Sequence, residues 1–498
     1  MGGGVALFDY DGDQRLDVYF INGGPLPPDP SRAGRNKLYR NLGDGRFEDA
    51  TERAGVAGKG YGMGCAVGDY NGDGWDDLLL TGLGSVVLYR NRGDGSFEDV
   101  TESSGIAAAF AFKSRPWLWS TAAGFGDLDR DGDLDLFVVC YAEADPHRAQ
   151  PCLDNAGKPI HCSPGVFTAQ PDLLLRNDGG RFVDVSQAAG VADSGGRGLG
   201  LAIVDLDGDG LLDLFVANDG SPDFLYRNRG GLKFEDIALS AGAAVNASGR
   251  ATASMGTAAD DLDGDGLLDL FVTNFINEPN SFFKGLGQGG FADVSAHAGL
   301  SAPSLSKTGF GVAAFDADND GRLDLFIANG HVDDQPWINT PMAQEPLFHR
   351  GAGDGRFATI SAPEFARPFA GRGLAAGDLD GDGRVDLAMV QRDGPAQVWR
   401  NVSEAGHWLG VRVGGPKMKR PGSAIGAKVI CKAGERSWTR WVAAGAGYLS
   451  RHEHESVVRF GLGAVERVDV VEIQWSDGMT QRMENVRADR IAEFVAAP

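Results

Sequence analysis

The stretch Gly200-Leu201-Ala202-Ile203-Val204-Asp205-Leu206-Asp207-Gly208-Asp209-Gly210-Leu211-Leu212-Asp213-Leu214-Phe215-Val216 holds two apolar runs separated by a loop with four aspartates. The runs are short, aliphatic or aromatic, and punctuated by Asp-Gly pairs, which predicts two strands joined by a tight turn. The aspartates stand at i, i+2, i+4 and i+8, with glycine at i+5. Alternate residues of a tight loop point inward together, so the carboxylates at positions one, three and five converge. Glycine at six permits the sharp turn, seven offers a carbonyl and nine closes the cage.

The pattern repeats through the chain. It recurs at Asp9, Asp11, Asp13 and Asp17; at Asp69, Asn71, Asp73 and Asp77; and at Asp127, Asp129, Asp131 and Asp135. After Asp205, Asp207, Asp209 and Asp213 come Asp261, Asp263, Asp265 and Asp269, then Asp316, Asp318, Asp320 and Asp324, then Asp378, Asp380, Asp382 and Asp386. Successive starts lie 60, 58, 78, 56, 55 and 62 residues apart, and the long third interval contains an insertion from Tyr141 to Pro171. A second signal keeps step: Leu38-Tyr39-Arg40-Asn41 leads to Phe47-Glu48-Asp49, and Leu225-Tyr226-Arg227-Asn228 leads to Phe234-Glu235-Asp236. Each unit therefore reads as four short strands. Seven such units predict an all-β fold, a seven-bladed β-propeller over 1–405 followed by a small all-β C-terminal domain over 406–498.

Hairpin turns alone account for one or two aspartates per loop, not for four in register. Of the 28 positions 27 are Asp, so the loops are built for a cation. All ligands are oxygen and the cage is flexible, which favours Ca2+ over Mg2+, up to seven ions in all. Clustered carboxylates repel one another without such an ion. The chain carries a formal charge of -23, which seven divalent ions would reduce to -9. Such acidity excludes nucleic acid and anionic membrane as partners. No apolar run is long enough to span a bilayer. The first loop has Gln14 where the others have the position-six glycine. Position eight, such as Asp76, is expected to point outward.

Cys152 and Cys162 lie in the polar insertion. They could close a short loop as a disulfide, which implies an oxidising compartment; a zinc site with the adjacent His161 is the competing reading. Cys65, Cys140 and Cys431 read as buried thiols. The start, Met1-Gly2-Gly3-Gly4-Val5, has no signal-peptide pattern, and only eight residues precede Asp9. A missing edge strand and any leader would lie upstream, or His407 to Val413 would supply the edge of the seventh unit. Extracellular or periplasmic location is expected.

From Gly406 the charge changes sign: residues 406–498 carry 14 Lys+Arg against 10 Asp+Glu, and residues 1–405 carry 32 against 59. Strands are predicted at Lys428 to Cys431, Ser437 to Val442, Val457 to Phe460, Val470 to Trp475 and Thr480 to Met483. Trp408, Trp438, Trp441 and Trp475 read as core, with a sugar-binding platform as the alternative. His452-Glu453-His454-Glu455 lacks the spacing of a zinc-protease motif and is expected to be an exposed polar turn.

His407-Trp408-Leu409, Gly422-Ser423-Ala424-Ile425-Gly426-Ala427, Gly445-Ala446-Gly447-Tyr448-Leu449-Ser450, Phe460-Gly461-Leu462-Gly463 and Ile473-Gln474-Trp475 resemble the ASPIC/UnbV domain. The repeats before it resemble the FG-GAP/VCBS type of integrin α-chain propellers. The ordered combination is similar to bacterial relatives of cartilage acidic protein. This resemblance implies a secreted calcium-binding propeller and carries over no catalytic residue. The function expected is a monomeric calcium-dependent binding or adhesion module for a glycan or protein ligand. The alternative is an enzyme or accessory factor in secondary metabolism with a site near the propeller channel.

Overall fold

A computed structural model describes residues 2–27, 35–110, 115–148, 152–154, 156–192, 195–334, 340–414 and 424–494. The Gly422-Ser423 pair of the C-terminal motif lies outside them. The fold is all-β: a β-propeller with a C-terminal β module. Each Asp loop joins the first and second strands of an antiparallel sheet, as between Gly198–Val204 and Asp213–Asn218, with Phe224–Asn228 and Phe234–Asp236 as third and fourth strands. The register pairs Val204 with Asp213 and Leu201 with Val216. That pairing sets the residue before position one opposite position nine at the mouth of each loop, as Phe8 is opposite Asp17 and Asp260 opposite Asp269. The Phe-x-Asp motif closes the sheet and starts a turn: Asp49 accepts the Thr51 N–H at 3.0 Å and opens the short helix Thr51–Ala54.

First strands are rich in glycine because they crowd the axis. A methyl group at Gly311 would lie 2.6 Å from the Arg372 carbonyl oxygen of the next unit, and one at Gly373 would lie 2.7 Å from Gly3 O. The second of these approaches brings the last unit against the first and closes the ring. The second and third units also pair at Leu83 and Trp119, so their strands form one continuous sheet.

The last unit has three strands, Gly371–Gly377, Asp386–Gln391 and Gln397–Trp399. His407–Arg412 does not supply its edge. It pairs instead with Val457–Gly463 and, in parallel, with Arg490–Glu493, where Leu409 and Val411 enter the core of the C-terminal module. A second sheet runs Arg436–Trp441, Lys428–Ala433, Arg467–Gln474, Thr480–Arg487. Cys152 and Cys162 are bonded, with 5.2 Å between Cα atoms, which takes both thiols out of the zinc reading, and His161 pairs with Asp333.

The Gly445–Ser450 motif fills the axis. Ala444 pairs with Ile203, Gly447 with Thr257 and Arg451 with Ala6, all on first strands. Tyr448 and Leu449 are buried, and one apolar cluster runs from Met63, Leu201 and Phe310 through them to Phe460 and Ile473. His452, Glu453 and Glu455 are likewise buried, contrary to the expected exposed turn. Burial holds His454 down to about 4 and raises Glu455 to about 8. The turn is buried because the chain must pass through the ring between plug and cap.

Third-strand asparagines staple the ring. Asn228 Nδ2 donates to Leu212 O of its own loop at 3.0 Å and to Leu128 O of the preceding loop at 2.9 Å. Asn41, Asn91, Asn177 and Asn401 likewise reach Leu379, Tyr10, Tyr70 and Ala317 of the preceding loop. The fifth and sixth units have Gly285 and Gly351 at that position. Asn228→Ala removes three bonds, since Oδ1 also accepts Gly230 N–H at 2.9 Å, and strands two carbonyls, so a loss of about 1–3 kcal/mol is expected in a denaturant melt. A change within error would show that the staple carries no stability.

Candidate metal centres

The seven loops lie on one face of the ring. Carboxylate oxygens of Asp9, Asp11 and Asp13 come within 4.8 Å of one another, as do those of Asp127, Asp129 and Asp131, Asp205, Asp207 and Asp213, Asp261, Asp263 and Asp265, and Asp316, Asp318 and Asp320. The local backbone sets this up. Asp205 Oδ1 accepts Gly208 N–H and its Oδ2 accepts Gly210 N–H, both at 2.8 Å, which curls the loop around position one. Position six is left-handed throughout, from φ 86° at Gly210 and Gly266 to φ 97° at Gly132, and Gln14 adopts φ 69° in the first loop. A side chain there costs roughly 1 kcal/mol, which is why the other loops use glycine. Position four is also left-handed, at Gly208 (φ 81°) and even at Arg130 (φ 64°) and Asn319 (φ 54°). That second turn constraint escaped the sequence reading, although Gly12, Gly72, Gly208, Gly264 and Gly381 advertise it.

Position nine is the most buried of the four. Asp213 Oδ1 accepts Asn228 N–H at 2.8 Å and its Oδ2 accepts Leu206 N–H at 3.0 Å. Asp17, Asp77, Asp135, Asp269, Asp324 and Asp386 repeat the arrangement. This carboxylate ties the third strand to the loop and still has lone pairs for an ion.

The arrangement fits a hard cation. Asp11 Oδ1, Asp127 Oδ1 and Asp318 Oδ1 are buried with no hydrogen-bond partner, an unfavourable state that an ion would relieve. A cation on the third strand, which the Leu-Tyr-Arg-Asn signal contains but the sequence reading gave no role, offsets part of the charge. Arg40 pairs with Asp11 at 2.5 Å and Arg227 with Asp207 at 2.5 Å. Lys284, Arg350 and Arg400 do the same for Asp263, Asp318 and Asp380. The second loop differs in having a neutral amide at position three: Asn71 Oδ1 accepts Asp73 N–H at 2.9 Å, as Asp207 Oδ1 accepts Asp209 N–H at 3.1 Å in the fourth loop.

Position eight is not uniformly outward. Asp76 is half-buried towards Arg451, and burial raises its carboxyl to about 6 against the pull of that guanidinium. The C-terminal module causes this by packing on the loop face. Arg459 lies 3.1 Å from Asp378, Lys428 reaches Gly266 O at 3.4 Å and Arg130 reaches Ser476 O at 2.9 Å. Trp438, Trp441 and Trp475 are buried and Trp408 half-buried, so the four indoles form no open platform.

Burial raises the position-nine carboxyls in the ion-free fold, to about 8 for Asp17, Asp135, Asp213 and Asp269, about 9 for Asp77 and about 7 for Asp324 and Asp386. An unfolded aspartate titrates near 3.9, so the native state binds more protons between these values and stability falls as pH rises. Metal-stripped protein is therefore expected to melt higher at pH 5.5 than at pH 8.5. Calcium should reverse the order, since it binds the charged form. Stripped protein melting higher at pH 8.5 would contradict this assignment.

A model described as FG-GAP-like repeat matches residues 9–80, 69–138, 205–272, 261–327 and 342–411, and one described as ASPIC and UnbV matches 417–497. Cartilage acidic protein 1 of Xenopus tropicalis is 31% identical over 310 residues, 57% of this chain and 42% of that protein. The Homo sapiens protein of the same name is 32% identical over 311 residues, 59% of this chain and 43% of its own length. The chain thus spans less than half the length of the curated relatives it matches. Among solved structures, an Agrocybe aegerita lectin recognising non-reducing terminal N-acetylglucosamine aligns at 17% identity and TM-score 0.43 over 80% of this chain and 94% of the lectin. YCF48 bound to D1 peptide aligns at 10% identity and TM-score 0.44 over 81% and 93%.

Proposed function

The chain belongs to the FG-GAP-like repeat family, with an ASPIC and UnbV domain at its C-terminus, and on that footing we propose that it is a calcium-loaded extracellular module that binds a glycan or protein ligand. The observation that carries the calcium part is the set of buried, unpartnered carboxylate oxygens at Asp11, Asp127 and Asp318 within converging loops. Asp, Asp and Asp at positions one, three and five, with position nine behind them, would hold each ion; Asn71 takes position three in the second loop. A bound divalent cation supplies positive charge that locks the loop and its two strands. The residues themselves shape the loop backbone, order the third strand and link successive units. The division at 405/406 belongs to the same proposal, with residues 406–498 acting as cap and axial plug.

The Cys152–Cys162 bond supports an oxidising compartment. Among the described residues no helix is long and apolar enough to cross a membrane. The enzyme alternative needs a site near the channel, and residues Ala443 to His452 occupy that space, which weighs against it. A glycan and protein binding screen, run in millimolar calcium and again in chelator, tests the reading. A ligand retained in calcium and lost in chelator is expected. Binding that ignores the chelator would remove the calcium-dependent role.

A further inference from the structure

The seven loops are not equally accessible. In the second to fifth loops the position-five side chain stands exposed, at Asp73, Asp131, Asp209 and Asp265. In the sixth and seventh loops position five is only half-exposed, at Asp320 and Asp382. Position one is buried there, at Asp316 and Asp378, both 6% exposed, as it also is at Asp261 of the fifth loop, and Asn319 at position four is 4% exposed. The C-terminal module is what covers the sixth and seventh loops. Gly406 N–H donates to Asp318 O at 2.9 Å, and Gly463 N–H donates to Asn319 O at 2.7 Å. Asn319 Nδ2 bridges to Gly383 O at 3.3 Å and Gly406 O at 3.4 Å.

Two indoles complete the seal. A methyl group on Gly321 would overlap the Trp438 ring, and one on Gly383 would overlap the Trp408 ring. Both glycines are position six of their loops, so the turn that shapes the cage is also the seat of the cap. Arg459 stacks 5.1 Å from the Trp408 ring centroid and pairs with Asp378 and, at 2.7 Å, with Glu453. Glu453 in turn accepts Asp378 N–H at 3.0 Å. The first loop lies beside this contact, but its position one is only half-buried.

We propose that the C-terminal module is a gate over the sixth and seventh loops: ions held there exchange slowly until the strands His407–Arg412 and Val457–Gly463 lift, while the other five exchange faster. The inference rests on the calcium reading given above. The contact covers positions one, four and six of these loops while the Asp318 and Asp320 side chains stay 21% and 23% exposed, so release from the closed state is slow and local opening of the module speeds it. The reciprocal holds: emptying these loops leaves Asp316, Asp318 and Asp320 repelling one another beneath the cap and favours the lifted state.

The test is to load the whole chain with calcium, mix it with excess fluorescent chelator and follow release by stopped flow. Two phases are expected, the slower releasing about two of seven ions at a rate at least about tenfold lower. Trp408→Ala and Trp438→Ala should accelerate the slow phase by about tenfold or more and leave the fast one unchanged. Hydrogen–deuterium exchange on the unmodified chain needs no variant: chelation should raise exchange in His407–Arg412 and Val457–Gly463. Seven ions leaving in one phase, or exchange in those strands that ignores the chelator, overturns the gate and leaves calcium binding intact. A chain that takes up no calcium at all sinks the underlying reading instead.

Discussion

Removing calcium is expected to lower the melting temperature by more than about 10 °C. An ion bound only to the native state contributes about 2.7 kcal/mol when free calcium is 100 times its dissociation constant. Three such sites already rival the whole stability of an ordinary domain, about 5–15 kcal/mol. The loops make the effect large because each one pins two strands and, through the third-strand asparagine, the preceding unit. Calorimetry with and without chelator measures it, and isothermal titration counts the ions. A shift of less than about 2 °C would defeat calcium as a structural ion. Fewer than four ions would defeat the seven-loop model. The second loop, with the uncharged Asn71 at position three, is the first expected to drop out.

Asp213→Ala and Asp207→Ala should separate two kinds of loop carboxylate. Asp213 is 1% exposed, and its oxygens hold one backbone N–H group of the loop, at Leu206, and one of the third strand, at Asn228. Its loss leaves both donors unpaired whether or not an ion is present. A cost of about 3–5 kcal/mol is expected even in chelator, and no less in calcium, where a ligand is lost as well. Asp207 points its carboxylate into the cage and to Arg227. Its loss should cost about 2–4 kcal/mol in calcium. In chelator it should cost little, because removing one of three clustered charges relieves repulsion. Glu52, whose side chain is 75% exposed, is the control, with a change under about 0.5 kcal/mol on replacement by Ala. Asp76 would mislead as a control because it faces Arg451. Denaturant melts of the variants in both buffers give the answer. Equal behaviour of Asp207→Ala in the two buffers would show that position three does not touch the ion.

The linkage between ring and cap makes these measurements interdependent. Arg459 touches Asp378, a position-one carboxylate, so a change in the cap alters a loop and the reverse. Variants in the second to fourth loops are the safer probes of ion binding alone, because their position-five residues face solvent.

The sequence by itself determined what repeats: loop spacing, four strands per unit, the glycines of first strands and the Cys152–Cys162 pair. These are local constraints. Strand period, positive φ and convergence of alternate residues act over a few positions and recur, so they are visible without the fold. Only the tertiary structure decided what depends on meetings between distant segments. Asp76 read as a surface residue because nothing near it in the chain announces Arg451, nearly four hundred positions away. His452-Glu453-His454-Glu455 read as an exposed turn because polar residues usually stay solvated, yet the path from plug to cap buries them among ion pairs. Gly445 to Ser450 matched a family pattern without a visible reason. The reason is the ring, since an axis lined by closely approaching first strands leaves space that this segment fills.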